Sequence, residues 1–191
     1  MINEIDLNLD GKKYFSSVEG PLIPILLSKL YLSNKNIFFI SKDDNHLNAI
    51  ENFLSASIPN CNIISIPSWE TLPYYISSPN PNIVSKRILS FTNLLNGNFT
   101  DKKVIILTTF NALSIKTAPI NFYKNLYLPL EINSKISINS LNSSLSKYGY
   151  KKVEIVREFG EFSHRGDILD IFTNGLDDPV RINFFDDKIE K

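Results

Sequence analysis

The stretch Asn36-Ile37-Phe38-Phe39-Ile40 decides the fold of the first half of the chain. A short run that is apolar at nearly every position is typical of a strand buried on both faces of a parallel sheet. Two further β-rich runs, at residues 62–66 and 103–107, share this character. Patterns with helical spacing alternate with these runs, over residues 21–33, 43–54 and 82–95. This alternation predicts a parallel α/β domain over residues 1–118.

The second half of the chain has a different pattern, which predicts a smaller α+β domain over residues 119–191. Apolar positions at helical spacing predict an amphipathic helix from Ile138 to Tyr148, ended by Gly149. Strand-like runs lie at residues 126–132, 153–157, 168–172 and 180–185. Turn residues, among them Asn174-Gly175, separate the last two runs, so we expect these two strands to form a hairpin.

Charge and composition exclude several classes of function. The 191-residue chain has 20 basic and 20 acidic side chains, so its formal net charge is zero. A protein that binds nucleic acid without specificity needs a basic excess, although a local basic patch stays possible. The single cysteine, Cys61, excludes an intramolecular disulfide and a cysteine-based zinc site. The only histidines are His46 and His164, and we predict no metal site.

A parallel α/β domain raises the question of nucleotide binding. A loop that holds phosphate needs glycines, a lysine and a Ser or Thr. The candidate turn before the first helix reads Ser17-Val18-Glu19-Gly20-Pro21, which has no Gly-Lys-Ser/Thr and includes an acidic residue. The sequence therefore predicts neither ATP hydrolysis, nor a catalytic residue, nor a bound cofactor in this chain.

The chain has no segment that resembles a signal peptide, and prolines and polar residues interrupt its longest apolar run, at residues 21–32. We therefore expect a cytoplasmic protein with no membrane contact. The C-terminus falls within a strand-like pattern, so we expect the chain to be a fragment of a longer polypeptide.

The arginines suggest a binding surface. Only four of the 20 basic side chains are arginines, in a chain that otherwise uses lysine. Arg165 lies at the entrance of the strand at 168–172, and Arg181 lies near the start of the strand at 180–185, so both would share a small surface if these strands pair. Only one of the adjacent Phe184 and Phe185 can face the core. Arginine beside an exposed aromatic is typical of a protein-binding hot spot. The alternative is that both arginines form ion pairs within the chain.

Three stretches carry a family resemblance. Residues 157–172 read Arg-Glu-Phe-Gly-Glu-Phe-Ser-His-Arg-Gly-Asp-Ile-Leu-Asp-Ile-Phe, and residues 180–190 read Val-Arg-Ile-Asn-Phe-Phe-Asp-Asp-Lys-Ile-Glu. Upstream, residues 67–74 read Pro-Ser-Trp-Glu-Thr-Leu-Pro-Tyr. Together they closely resemble the N-terminal region of the bacterial transcription-repair coupling factors (Mfd), in the same order and over nearly the whole chain.

The resemblance implies a fold and a partner. The N-terminal module of this family is similar to UvrB: a helicase-like (RecA-like) α/β domain with a degenerate phosphate loop, followed by a smaller α+β domain that binds UvrA. The family's UvrA-contacting positions are occupied here by Arg165, Arg181 and Phe185. Glu161 and Phe162 are weaker candidates for the same surface.

The resemblance also implies what the longer protein does. A coupling factor recruits nucleotide excision repair to a stalled RNA polymerase, and this chain would be its UvrA-recruiting module, without catalysis of its own. The ATP- and Mg-dependent motor, and the contacts with RNA polymerase and duplex DNA, would belong to domains outside these residues. The alternatives are a nucleotide-dependent, helicase-like enzyme domain and a DNA-binding module.

Overall fold

The computed structural model describes residues 14, 16, 18, 20–33, 35–69, 79–97, 103–126 and 128–191. The contacts divide the chain into two units, residues 1–69 with 97–116 and residues 70–96 with 117–191. In chain order, the elements are α1 (Leu22–Leu32), β1 (Ile37–Ser41), α2 (Asp44–Ser57), β2 (Ile63–Ile66), α3 (Pro81–Asn96), β3 (Ile105–Thr109), α4 (Phe110–Ser114), α5 (Ile120–Lys124), α6 (Ile138–Lys147), β4 (Lys151–Lys152), β5 (Glu161–Arg165), β6 (Ile168–Phe172), β7 (Val180–Phe185) and β8 (Lys188–Ile189).

The first unit contains a parallel three-stranded sheet in the order β1-β3-β2. Ile105 in the central strand pairs with Ile37 on one side and with Ile63 on the other. Helices α1 and α2 supply the apolar side chains that pack on this sheet, including Leu27, Leu47, Ile50 and Leu54. The parallel sheet predicted from the apolar runs is therefore confirmed.

Helix α2 begins where its sequence predicts. The carboxylate of Asp43 accepts a hydrogen bond of 2.7 Å from the backbone N–H of His46, which satisfies one of the unpaired donors of the first turn. Leu47, Ile50 and Leu54 lie on one face of the helix and are buried. This face fixes the helix on the sheet, because apolar burial is the main source of helix stability in proteins.

Helix α3 belongs to the second unit by its contacts. It packs on α5, and the ring of Phe91 lies 4.9 Å from the ring of Tyr123. The sequence pattern predicts this helix in a first domain that ends at residue 118. In the structure, the helix that follows β2 joins the second unit, because Phe91 packs on Tyr123 of α5. The buried positions of this helix are polar: Ser85, Arg87, Ser90 and Thr92. The domain boundary at residue 118 stays a prediction.

The second unit contains a five-stranded sheet in the order β4-β5-β6-β7-β8. Strand β4 runs parallel to β5, and the other neighbours are antiparallel. Helix α6 covers one side of the sheet with Leu141 and Leu145, which pack on Phe162, Leu169 and Phe184. The predicted helix α6 and the predicted hairpin of β6 and β7 are both confirmed.

Two predicted strands of the second unit are wrong. The described residues between 126 and 132 form no strand, and Pro129 lies among them without an N–H to donate to a ladder. Residues 153–157 form no strand, and the carbonyl of Glu154 accepts hydrogen bonds from the side chains of Ser163 and Arg165. The strands that flank this segment are β4 and β5, neither of which the sequence pattern predicted. None of the helices in the described ranges is long and apolar enough to cross a membrane.

Candidate protein-binding surface

Strand register brings the predicted arginines to one side of the second sheet. Asp170 pairs with Arg181 across β6 and β7, and Arg165 pairs with Ile168 across β5 and β6. Directly paired residues share a face, and alternate residues along a strand share it too. We call this side the outer face; it bears Arg165, Ile168, Asp170, Arg181, Asn183 and Phe185. The opposite side packs on α6.

Arg181 is held by a bidentate ion pair. Its Nε lies 2.7 Å from Oδ1 of Asp170, and its Nη2 lies 2.9 Å from Oδ2. The side chain of Arg181 is 64% exposed, and that of Asp170 is 20% exposed. The hydrogen bond from Arg181 is the main reason that the pKa of the Asp170 carboxyl is lowered, and the charges of Arg181 and Arg165 add to it. Both arginines therefore act on one carboxylate at the centre of the outer face.

Arg165 is held by a backbone carbonyl. It is the last residue of β5 and is exposed, and its Nη2 donates a hydrogen bond of 2.5 Å to the carbonyl oxygen of Glu154. The Oγ of Ser163 donates to the same oxygen at 3.0 Å. The irregular segment after β4 thus supports the guanidinium from one side. Among the described residues, Arg165 donates only this side-chain hydrogen bond, so its other N–H groups can reach a partner.

The two adjacent phenylalanines of β7 point in opposite directions. Phe184 is 4% exposed and packs in the core, whereas Phe185 is 66% exposed. Phe185 lies on the outer face with the arginines. The prediction that only one of this pair faces the core is confirmed.

Glu161 and Phe162 differ from the expectation. Phe162 is 1% exposed and lies in the core, so its assignment to a binding surface is wrong. Alternation along β5 turns Arg165 outward and Phe162 inward. Glu161 is half-buried, and its carboxylate accepts hydrogen bonds from the backbone N–H groups of Arg157 and Glu158 at 2.8 and 3.0 Å. These bonds lower the pKa of the Glu161 carboxyl, and they engage one of its oxygens within the chain.

The part of the chain that carries this surface is similar to a known domain family, and most of the chain is similar to known proteins. Residues 128–191 match the UvrB interaction domain family. The chain is 29% identical over 166 residues to the transcription-repair-coupling factor of Haemophilus influenzae. The aligned residues are 87% of this chain and 14% of that protein. It is 32% identical over 128 residues to that of Escherichia coli (67% of this chain, 11% of the relative), and 37% identical over 131 residues to that of Rickettsia typhi (69% and 11%).

The chain is a relative of the transcription-repair coupling factors. The resemblance read from residues 157–172 and 180–190 is thereby confirmed. The chain spans only 11% to 14% of the length of these three relatives. The stretch that matches the UvrB interaction domain includes α6 and β4 to β8, and hence the whole outer face.

Other predicted features of this coupling-factor relative lie partly outside the described residues. Ser17 and Glu19 of the degenerate turn are outside them, and so are residues 70–78, which include most of the Trp-Glu-Thr-Leu-Pro-Tyr stretch. Within the described part of the chain, no cluster of three or more His, Cys, Asp or Glu side chains is placed to hold a metal ion.

Sequence reasoning missed Asp170, which is the direct partner of Arg181. Its position in an apolar run, Ile168-Leu169-Asp170-Ile171-Phe172, is a usable signal, because a single charge in a strand that otherwise faces the core must point outward or find a partner. The open alternative, that the arginines pair within the chain, holds for Arg181. Pairing does not remove Arg181 from the surface, since most of its side chain stays exposed.

Proposed function

We propose that this chain is a UvrA-binding module of a transcription-repair coupling factor, and that it recruits nucleotide excision repair to a stalled RNA polymerase. The observation that carries the proposal is the match of residues 128–191 to the UvrB interaction domain, on a sheet whose outer face presents Arg165, Arg181 and Phe185 together. The resemblance assigns these three residues to UvrA contact.

The geometry suits the binding of an acidic, partly apolar surface. The Asp170 pair orients the Arg181 guanidinium but uses only its Nε and one Nη2 donor, so the remaining N–H groups stay available to a carboxylate of the partner. An oriented side chain loses less conformational freedom on binding than a mobile one. Phe185 adds exposed apolar area on the same face of the sheet.

The first unit would act as a scaffold. We propose that residues 1–118 form a helicase-like, RecA-like domain without a functional phosphate loop, and that residues 119–191 form the UvrA-binding domain. The parallel sheet of β1, β2 and β3 agrees with the first part of this proposal. ATP, RNA polymerase and duplex DNA would be bound by other parts of a longer cytoplasmic protein.

Binding of purified UvrA to the chain tests the proposal. We expect Arg165→Ala and Arg181→Gln each to weaken the affinity by about thirtyfold, because truncation of a hot-spot residue costs about 2 kcal/mol or more. Glutamine is preferable to glutamate at position 181, because a second carboxylate there would repel Asp170.

Arg157→Ala is the matched control. Arg157 is an exposed arginine of the same unit that lies in the irregular segment before β5. The Arg157→Ala substitution should leave the affinity for UvrA nearly unchanged. Unchanged affinity in the variant that combines Arg165→Ala with Arg181→Gln, with native circular dichroism, would refute the site.

A further inference from the structure

The turn that presents Arg165 is short and tightly constrained. Strands β5 and β6 are joined by Gly166 and Asp167 alone, and Gly166 has a φ of +58°. The carbonyl of Asp167 accepts a hydrogen bond of 2.8 Å from the backbone N–H of Phe184. The direction in which Arg165 leaves the sheet therefore depends on what holds this turn.

His164 holds the turn from the inner side of the sheet. Its Nε2 lies 2.7 Å from the carbonyl oxygen of Gly166, and its Nδ1 lies 2.8 Å from Nδ2 of Asn142 in α6. A neutral imidazole with its proton on Nε2 satisfies both contacts, because Nε2–H donates to the carbonyl and Nδ1 accepts from the amide. The ring thereby links the turn to helix α6.

At the end of β5, two adjacent side chains are held on opposite sides of the sheet. His164 faces α6, and the next residue, Arg165, faces outward and is held by the carbonyl of Glu154. A guanidinium supported at its tip still moves if the backbone that carries it moves. The hydrogen bond to Gly166 comes immediately after Arg165 in the chain, so it constrains the backbone at the base of this side chain.

We infer that His164 is a positioning residue for partner binding, which fixes the Arg165 turn against α6 and so presents the Arg165 guanidinium in its binding orientation. This inference rests on the proposed function. His164 itself lies on the side of the sheet away from the partner, so its effect must pass through Arg165.

The test compares three substitutions in the full chain, with purified UvrA as the probe. His164→Phe keeps a ring but removes both hydrogen bonds, and we expect it to weaken UvrA affinity about three- to tenfold. His164→Gln retains an amide that can donate to Gly166, so it should recover most of the affinity. His46→Phe is the matched control, since His46 is a half-buried histidine of the other unit whose Nδ1 lies 2.8 Å from Ser41 Oγ.

A double-mutant cycle separates positioning from general stability. In the Arg165→Ala background, His164→Phe should have no further effect on UvrA affinity, because the side chain that it positions is gone. An equal loss in both backgrounds would overturn the inference. Unchanged affinity for His164→Phe alone, together with a loss for Arg165→Ala, would overturn the inference and leave the proposed function standing. Unchanged affinity for Arg165→Ala would refute the proposed role of Arg165 itself.

A second variant covers the case in which His164→Phe does not fold. Asn142→Ala removes only the partner of Nδ1, since Oδ1 of Asn142 has no hydrogen-bond partner among the described residues. We expect a loss of UvrA affinity of about two- to fivefold, which again disappears in the Arg165→Ala background. Full affinity in Asn142→Ala would overturn the inference.

Discussion

Phe184 and Phe185 are neighbours in β7, and one stabilises the core while the other remains in solvent. Phe184→Ala should lower the free energy of unfolding by about 3–5 kcal/mol, because it leaves a cavity beside α6. Phe185→Ala should change it by less than about 0.5 kcal/mol and instead weaken UvrA binding. Urea denaturation and UvrA affinity, measured on both variants, check this contrast. Equal destabilisation by the two substitutions would contradict it.

The Asp170–Arg181 pair makes stability depend on pH in the acid range. The pKa of Asp170 is lower in the folded chain than in the unfolded one, chiefly because Arg181 donates to its carboxylate. Its contribution is therefore present above the unfolded pKa of about 3.9 and is lost as pH falls through the lowered folded value.

Asp170→Asn should flatten the acid side of the stability curve. Chemical denaturation at pH values from about 6 to about 2 measures the slope for both chains. Part of the slope should remain in the variant, since the pKa of Glu161 is also lowered, by the N–H groups of Arg157 and Glu158. Parallel curves for the two proteins would show that the pair adds no pH-dependent stability.

At the scale of elements, the connection between β6 and β7 depends on Gly175. Its φ is +89°, and a Cβ there would lie 2.8 Å from Cδ2 of Leu89 in α3. Gly175→Ala should destabilise the chain more than Gly160→Ala. Gly160 has a similar φ of +81°, but a Cβ added to it would meet no described atom within 4 Å.

The contribution of Leu89 can be isolated. In a Leu89→Ala background, the loss from Gly175→Ala should fall to that of Gly160→Ala, since only the backbone strain of about 1–3 kcal/mol would remain. Thermal unfolding of the single and double variants measures these differences. An equal loss at both glycines in the unchanged background would show that Leu89 moves aside at no cost.

At the scale of the whole molecule, we expect no nucleotide binding. The turn Ser17–Pro21 has no lysine to stabilise phosphate charge, and Glu19 adds a negative charge. Titration of Mg-ATP into the chain should give no saturable heat in a calorimeter. Saturation at submillimolar nucleotide would favour the helicase-like enzyme that the sequence left open as an alternative.

Local patterns were enough to predict the parallel sheet, α2, α6 and the opposite orientations of Phe184 and Phe185. Each of these features depends on a period of about two or 3.6 residues within a single element, so neighbouring side chains report it directly. The family resemblance likewise follows from contiguous residues, such as 157–172.

Long-range pairing decided the rest. Asp170 and Arg181 are 11 residues apart and meet only because β6 and β7 pair in one register, and His164 reaches Asn142 across 22 residues. The outward position of Arg165, the burial of Phe162 and the packing of α3 on α5 likewise depend on which elements become neighbours. A register shift of one residue would reverse the two faces of a strand, so hydrogen-bond partners on the outer face exist only once the sheet has formed.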